Sequence, residues 1–189
     1  MGFSWKPDSP FNDLRVRQAM SMLLDREGLM EYYYNLQRYK SNGIDTDTRY
    51  HTLISAADVR YWTDRKDLGD GAKNFEYNTA EAAKLLKAAG REKLEFPFNW
   101  PTPTTTPDEK MFQAVNEMFN ASGLVKATAT PVEVKQYKAT IELYWHGTHD
   151  GIADFPGGSA ADPDITMTRY QENSPFKMFP DKTPMDALL

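Results

Sequence analysis

Between Asn78 and Val132 the chain switches twice from a helical to an extended pattern, and that alternation narrows its fold more than any other feature. Asn78 followed by Glu81 forms a capping box, in which each side chain satisfies an otherwise orphaned backbone N–H at a helix start. Ala82 to Ala89 is strongly helix-favouring and Gly90 supplies a left-handed terminator, so a helix is predicted over Thr79–Ala89. Leu94, Phe96 and Phe98 then alternate with polar or proline positions as a strand does, and the Pro-Thr run from Pro101 to Pro107 is expected to end it. Thr106, Pro107 and Glu109 set up the next helix as cap, first-turn proline and capping-box acid. Met111, Ala114, Val115, Met118 and Phe119 follow helical spacing until Gly123, and Lys126–Val132 alternates again. Strands interleaved with helices in this way predict an α/β lobe with a mainly parallel or mixed sheet.

The flanks extend the pattern. In PFNDLRVRQAMSMLLDRE, Pro10 to Glu27, Asp13 can cap a helix whose Leu14, Ala19, Met20, Leu23 and Leu24 fall near one face. Arg15 and Arg17 lie in or near its first turn, where the helix dipole disfavours a cation by roughly 0.3–1 kcal/mol, so carboxylate partners are expected for them. Asp25, Arg26 and Glu27 read as a break and a new helix to about Gln37, and the structured lobe is expected to open only nine residues from the N-terminus. Lys40 to Phe75 reads as a long surface excursion with a short helical piece near Ser55–Tyr61. Val134 to Tyr144 has helical spacing, His149–Phe155 reads as a short strand, and Asp162-Pro163 caps and begins a last helix after the turn at Gly157-Gly158-Ser159. No internal repeat is visible.

Composition removes whole classes of function. The chain has 189 residues, of which 40% are hydrophobic, enough for one globular domain with a real core. A net charge of −5 with no basic run excludes a phosphate-tracking surface, so no nucleic-acid partner is expected. The absence of cysteine removes disulfides, thiolate metal sites and cysteine nucleophiles together. No stretch approaches the roughly 20 apolar residues of a membrane helix, and no charged-then-apolar leader precedes Phe3, so an export signal would lie outside this sequence. There is no GxSxG elbow, no GxxxxGK phosphate cradle and no glycine fingerprint after a strand, so the chain reads as a non-enzyme without cofactor. Aromatics make up 13% of the chain, which supports either large core side chains or a ligand cleft.

Three segments in order carry a resemblance: PFNDLRVRQAMSMLLDRE, FEYNTAEAAKLLKAAG, and GTHDGIADFPGGSAADPD. Together they resemble the extracellular solute-binding proteins of bacterial ABC importers, in the class of oligopeptide, dipeptide and nickel binders. Members show a proline and aspartate before an RVRQA-like helix, an Asp-Arg pair opening the next helix, and a helix of Tyr-(Asp/Asn)-x-x-x-A-x-x-LL-x-x-AG type. They also show Gly-x-x-Asp followed thirteen residues later by the proline of an acidic-Pro pair, the spacing found here from Asp150 to Pro163. The resemblance covers about Pro10 to Tyr170. It implies the C-terminal lobe of a type II periplasmic-binding-protein-like fold, a mixed sheet flanked by helices. Residues 1–189 would then be one domain, most of the second lobe, with the first lobe and the C-terminal return segment lying outside it. It further implies a monomer in the periplasm or outside the cell, associated with the membrane through an ABC permease and binding a peptide-like or other small solute between two lobes.

The resemblance also points to site residues. Relatives pair a peptide ammonium with an aspartate four residues before the acidic-Pro proline, and that position is Ser159 here, which carries no charge. The family's tryptophan three residues earlier is replaced by Pro156. Asp154, Asp162 and Asp164 stand as replacements for the charge; Asp162 is better read as a helix cap, which leaves Asp154. Tyr137 and Tyr144 align with positions near relatives' side-chain pockets, while their spacing equally fits a packing face. Two readings from other classes stand beside this one: a metal-dependent hydrolase using His146, His149 and Asp150 of HGTHD, although the motif lacks the HExxH arrangement, and a protein-interaction scaffold using the Lys40–Phe75 excursion.

Overall fold

The computed structural model describes residues 1–46, 48–49, 56, 59–104, 108–142 and 147–154. Helix α1, Leu14–Met22, starts where the Asp13 carboxylate accepts the Arg15 N–H at 2.8 Å. It buries Val16, Ala19, Met20 and Met22. Helix α2, Arg26–Tyr34, is capped by Asp25, which accepts the Gly28 N–H at 2.9 Å. The single helix expected to Gln37 is interrupted at Asn35, which adopts φ 52°, and a separate helix α3 follows over Leu36–Ser41. Asparagine tolerates the left-handed region better than most residues, and Glu31 seals the break by accepting the Gln37 N–H at 2.8 Å.

The alternating unit forms, although the box at Asn78 closes on one side only: the Asn78 N–H donates to the Met22 carbonyl and Glu81 pairs with Lys84, while Thr106 and Pro107, the expected cap of the next helix, lie outside the described residues. The Asn78 side chain accepts the Glu81 N–H at the start of α4, Thr79–Ala88. Gly90 ends it at φ +67°, with the Arg91 N–H reaching back to the Leu86 carbonyl in a Schellman closure. Strand β2, Leu94–Thr102, runs on through Pro101 instead of stopping there. The reason is directional. The Asn99 carbonyl accepts the Asp154 N–H, so odd-numbered residues of β2 turn their N–H and C=O toward the neighbouring strand β4, Ile152–Ala153, which pairs only with Phe98 and Asn99. Pro97 and Pro101 flank that short ladder, where a missing N–H leaves no bond unmade. Helix α5, Asp108–Ala121, and strand β3, Val125–Glu133, complete the unit, and β3 pairs with β2 in parallel from Leu94↔Val125 to Thr102↔Glu133.

Among the described residues the sheet has four strands in the order β1-β4-β2-β3, with β1 at Gly2–Phe3. β4 is parallel to β2, and β1 is antiparallel to β4. The lobe therefore begins with sheet structure ahead of Pro10, because Gly2 and Phe3 pair with Ala153 and Ile152. At the other edge, the Asn120 amide behaves like a strand neighbour: it donates to the Ala127 carbonyl at 2.9 Å and accepts the Ala127 N–H at 3.0 Å.

One face of the sheet carries an aromatic core. Phe96 packs edge-on against Phe11 and Phe119, as Phe98 does against Phe119, while Trp100 meets Phe98 and Phe112 at a tilt. Helices α1, α4 and α5 close over it with Val16, Met20, Ala82, Leu86 and Val115. Each such large side chain contributes about 1.5–3 kcal/mol on burial. The other face holds a smaller cluster of Tyr137, Ile141, Ala153 and Val132. It is supplied by helix α6, Val134–Tyr137, and a π-helical turn over Lys138–Glu142. The arginines expected to need carboxylates divide: Arg15 pairs with Asp13 at 2.6 Å and donates to the Ala88 carbonyl, whereas Arg17 donates to the carbonyls of Phe11 and Asn12. Of the helical piece expected near Ser55–Tyr61, Ala56 and residues 59–61 are described and form turns, and the helix expected after Asp162 lies outside the described residues.

Candidate functional site

Because β2, β3 and β4 are mutually parallel, their carboxyl ends at Thr102, Glu133 and Ala153 open on one edge of the sheet. In open α/β sheets that edge is where ligands bind, since the loops leaving the strands diverge there. Asp154 is the first residue beyond β4, and its side chain keeps 17% of its surface accessible. β1 runs the opposite way, which brings the Met1 ammonium to 3.4 Å from Asp154 Oδ1.

The backbone of Asp154 is fixed from two sides. Its N–H donates to the Asn99 carbonyl at 2.9 Å, and its own carbonyl accepts the Tyr137 hydroxyl at 2.5 Å. Asn99 also donates its side-chain amide to the carbonyls of Asp150 and Ile152, at 2.9 and 3.0 Å. A buried amide that satisfies two carbonyls of the approaching strand specifies where β4 must lie. Asn99 is a residue that pattern reading passes over, although a polar side chain amid LEFPFNW is itself a signal, since a buried amide must find partners. Gly151 precedes β4 at φ +71°, and a Cβ there would lie 2.0 Å from the Pro97 carbonyl oxygen, so the chain approaches β2 too closely for any other residue.

The sequence-derived site residues fall out unevenly. Tyr137 is fully buried and meets the site through the backbone of Asp154. Asp154 sits at the accessible edge. Tyr144, Pro156 and Ser159 lie outside the described residues, as do His146, Asp162 and Asp164. His149 and Asp150 diverge: the imidazole Nε2 lies 3.2 Å from the Gly2 carbonyl, while Asp150 Oδ1 takes the Lys6 ammonium at 2.6 Å. Among the described residues, no three His, Asp or Glu side chains gather as a metal ion would require. Among them, too, no helix is long and apolar enough to cross a membrane.

The fold has close counterparts among solved structures. AppA from Clostridium difficile, a protein assigned to peptide binding, superposes with a TM-score of 0.67 at 16% identity, over 95% of this chain and 35% of that one. The periplasmic murein tripeptide binding protein MppA in its unliganded open form gives 0.55 at 20% identity, over 98% and 37%. A second structure of MppA, from Escherichia coli, gives 0.54 at 20% identity over the same shares. The chain thus spans about a third of the length of these proteins. No curated protein sequence matches it. The family model for bacterial extracellular solute-binding proteins, family 5 Middle, matches residues 1–175. With that match spanning nearly all of the sequence, and the sheet order and candidate edge in place, the chain belongs to the bacterial extracellular solute-binding proteins of family 5.

Proposed function

We propose that this chain forms most of the second lobe of the solute receptor of an ABC importer, and that the edge carrying Asp154 is its wall of the solute cleft. The observation that carries the reading is the position of Asp154: a partly accessible carboxylate just past the carboxyl end of a central strand, its backbone locked by Asn99 and Tyr137. With Ser159 standing where relatives place an aspartate, Asp154 takes over recognition of a cationic group on a peptide-like or other small solute. Such a charge-assisted bond strengthens once water is excluded from a closed cleft.

The mechanism is clamp closure. Solute enters between this lobe and a first lobe, differential affinity for the closed form shifts the hinge equilibrium, and the closed receptor is recognised by a membrane permease. Delivery to a permease places the protein outside the cytoplasmic membrane, and no step makes or breaks a covalent bond. With one wall of the cleft, the chain by itself should bind solute weakly or not at all. Calorimetric titration with short peptides tests this, and tight stoichiometric binding to these 189 residues alone would contradict it. In a receptor that includes the first lobe, peptides with a free amine should raise the melting temperature more than N-acetylated ones. Asp154→Asn should erase that difference. Equal shifts with both peptides in the unmutated receptor would remove Asp154 from the reading.

A further inference from the structure

The segment Met1–Lys6 is strapped onto residues 147–154 at nearly every position. Gly2 and Phe3 pair with Ala153 and Ile152, the Ser4 N–H donates to the Gly151 carbonyl at 2.9 Å, and the Trp5 N–H donates to the Gly147 carbonyl at 2.6 Å. The Trp5 ring lies directly on Gly147, where a Cβ would come within 2.1 Å of it, and the Arg17 guanidinium covers the ring at 5.3 Å. Within this seam His149 is 9% exposed. Its Nε2 lies 3.2 Å from the Gly2 carbonyl, and since a carbonyl only accepts, Nε2 carries the proton. Nδ1 is then an unprotonated nitrogen, buried and without a hydrogen-bond partner.

That arrangement suits the neutral ring alone. A second proton would go to Nδ1, placing an N–H with no acceptor and a full charge inside the seam. The ring can gain water for that N–H only by leaving the seam, which breaks its bond to Gly2. We propose that His149 is an acid-sensitive latch that holds the Met1–Lys6 strap on β4 at neutral pH and releases it on protonation. The charges on the packed segments do not offset this: Lys6 is paired with Asp150 at 2.6 Å and the Met1 ammonium with Asp154 at 3.4 Å. Burial pushes the imidazole below its ordinary value, with the Gly2 carbonyl and Asp150 acting against that shift and Lys6 with it. A folded-state value below the unfolded one means that the stabilisation is fully present above the ordinary histidine pKa of about 6.5. It is lost as the pH falls from there through the lowered value. Asp154 lies one residue past the paired Ala153, so release of the strap also frees the edge at which Asp154 stands. This device works independently of the solute.

Nitrogen-15 NMR of the histidine ring, with amide hydrogen exchange, tests the latch on the chain from about pH 5 to 8. The ring of His149 should show the Nε2–H tautomer at neutral pH and titrate with a midpoint below the ordinary value. Protection of the Ser4 and Trp5 amides should fall by about tenfold or more across the same midpoint. His149→Gln, whose amide can still donate to Gly2 but does not titrate, should lose that step. The proposal is overturned by a ring that titrates at or above the ordinary histidine value with both amides protected, or by an unchanged step in the glutamine variant. If that variant does not fold, coincidence or separation of the two midpoints in the unmutated chain decides the matter.

Discussion

On one face of β2, Phe96, Phe98 and Trp100 lie among Phe11, Phe112 and Phe119; on the other, Asn99 reaches across to hold β4, and Tyr137 holds the residue beyond it. The first face is stabilised by apolar area, which is non-directional and spread over many contacts. The second depends on a few directional hydrogen bonds between groups far apart in sequence. Stability therefore resides mainly on the aromatic face, while the geometry of the candidate site is set on the polar one. A change on the first should lower global stability, and a change on the second should move β4 while leaving most of the lobe folded.

Four substitutions test that division. Phe98→Ala removes a fully buried ring that touches Trp100 and Phe119 and should cost about 3–5 kcal/mol, read as a lower denaturant midpoint for the whole chain. Asn99→Ala strands the carbonyls of Asp150 and Ile152 and should cost about 1–3 kcal/mol. Its mark should be local, with faster amide exchange at Asp154 than in α5; uniform acceleration through α5 would merge the two faces into one cooperative unit. Tyr137→Phe deletes the bond to the Asp154 carbonyl but keeps the ring, for about 0.5–1.5 kcal/mol in the same assay. Lys126→Ala breaks the pair with Glu95, both side chains being about two-thirds exposed, and should leave the midpoint unchanged at any salt concentration.

What could be read in the sequence follows the same divide between local and distant causes. The α4–β2–α5–β3 unit is legible because its caps, glycines and alternation lie within a few residues of what they control. Strand β1 is not, since two residues carry no periodicity; β4 falls within the short strand read over His149–Phe155, but its pairing with β1 joins positions about 150 apart. The extension of β2 through Pro101 depends on which side β4 occupies, and the break at Asn35 depends on a single backbone angle. For the site, Asp154 is reached through the family resemblance and the loss of charge at Ser159. Asn99 is missed because the carbonyls it serves lie 51 and 53 residues away. Dipole grounds predict a carboxylate for Arg17, yet its guanidinium donates to the carbonyls of Phe11 and Asn12, a few residues away in sequence.

The side-chain amide of Asn120 has a consequence for how this lobe behaves in solution. An outer strand with a continuous row of free donors and acceptors is a template on which another chain can add. Along β3 the rung at Ala127 is already filled, Pro131 has no N–H to offer, and the charges of Lys126 and Glu133 stand near the two ends. What remains around Ala129 is too short a run to nucleate an intermolecular sheet, so this margin of the lobe resists aggregation by its own residues.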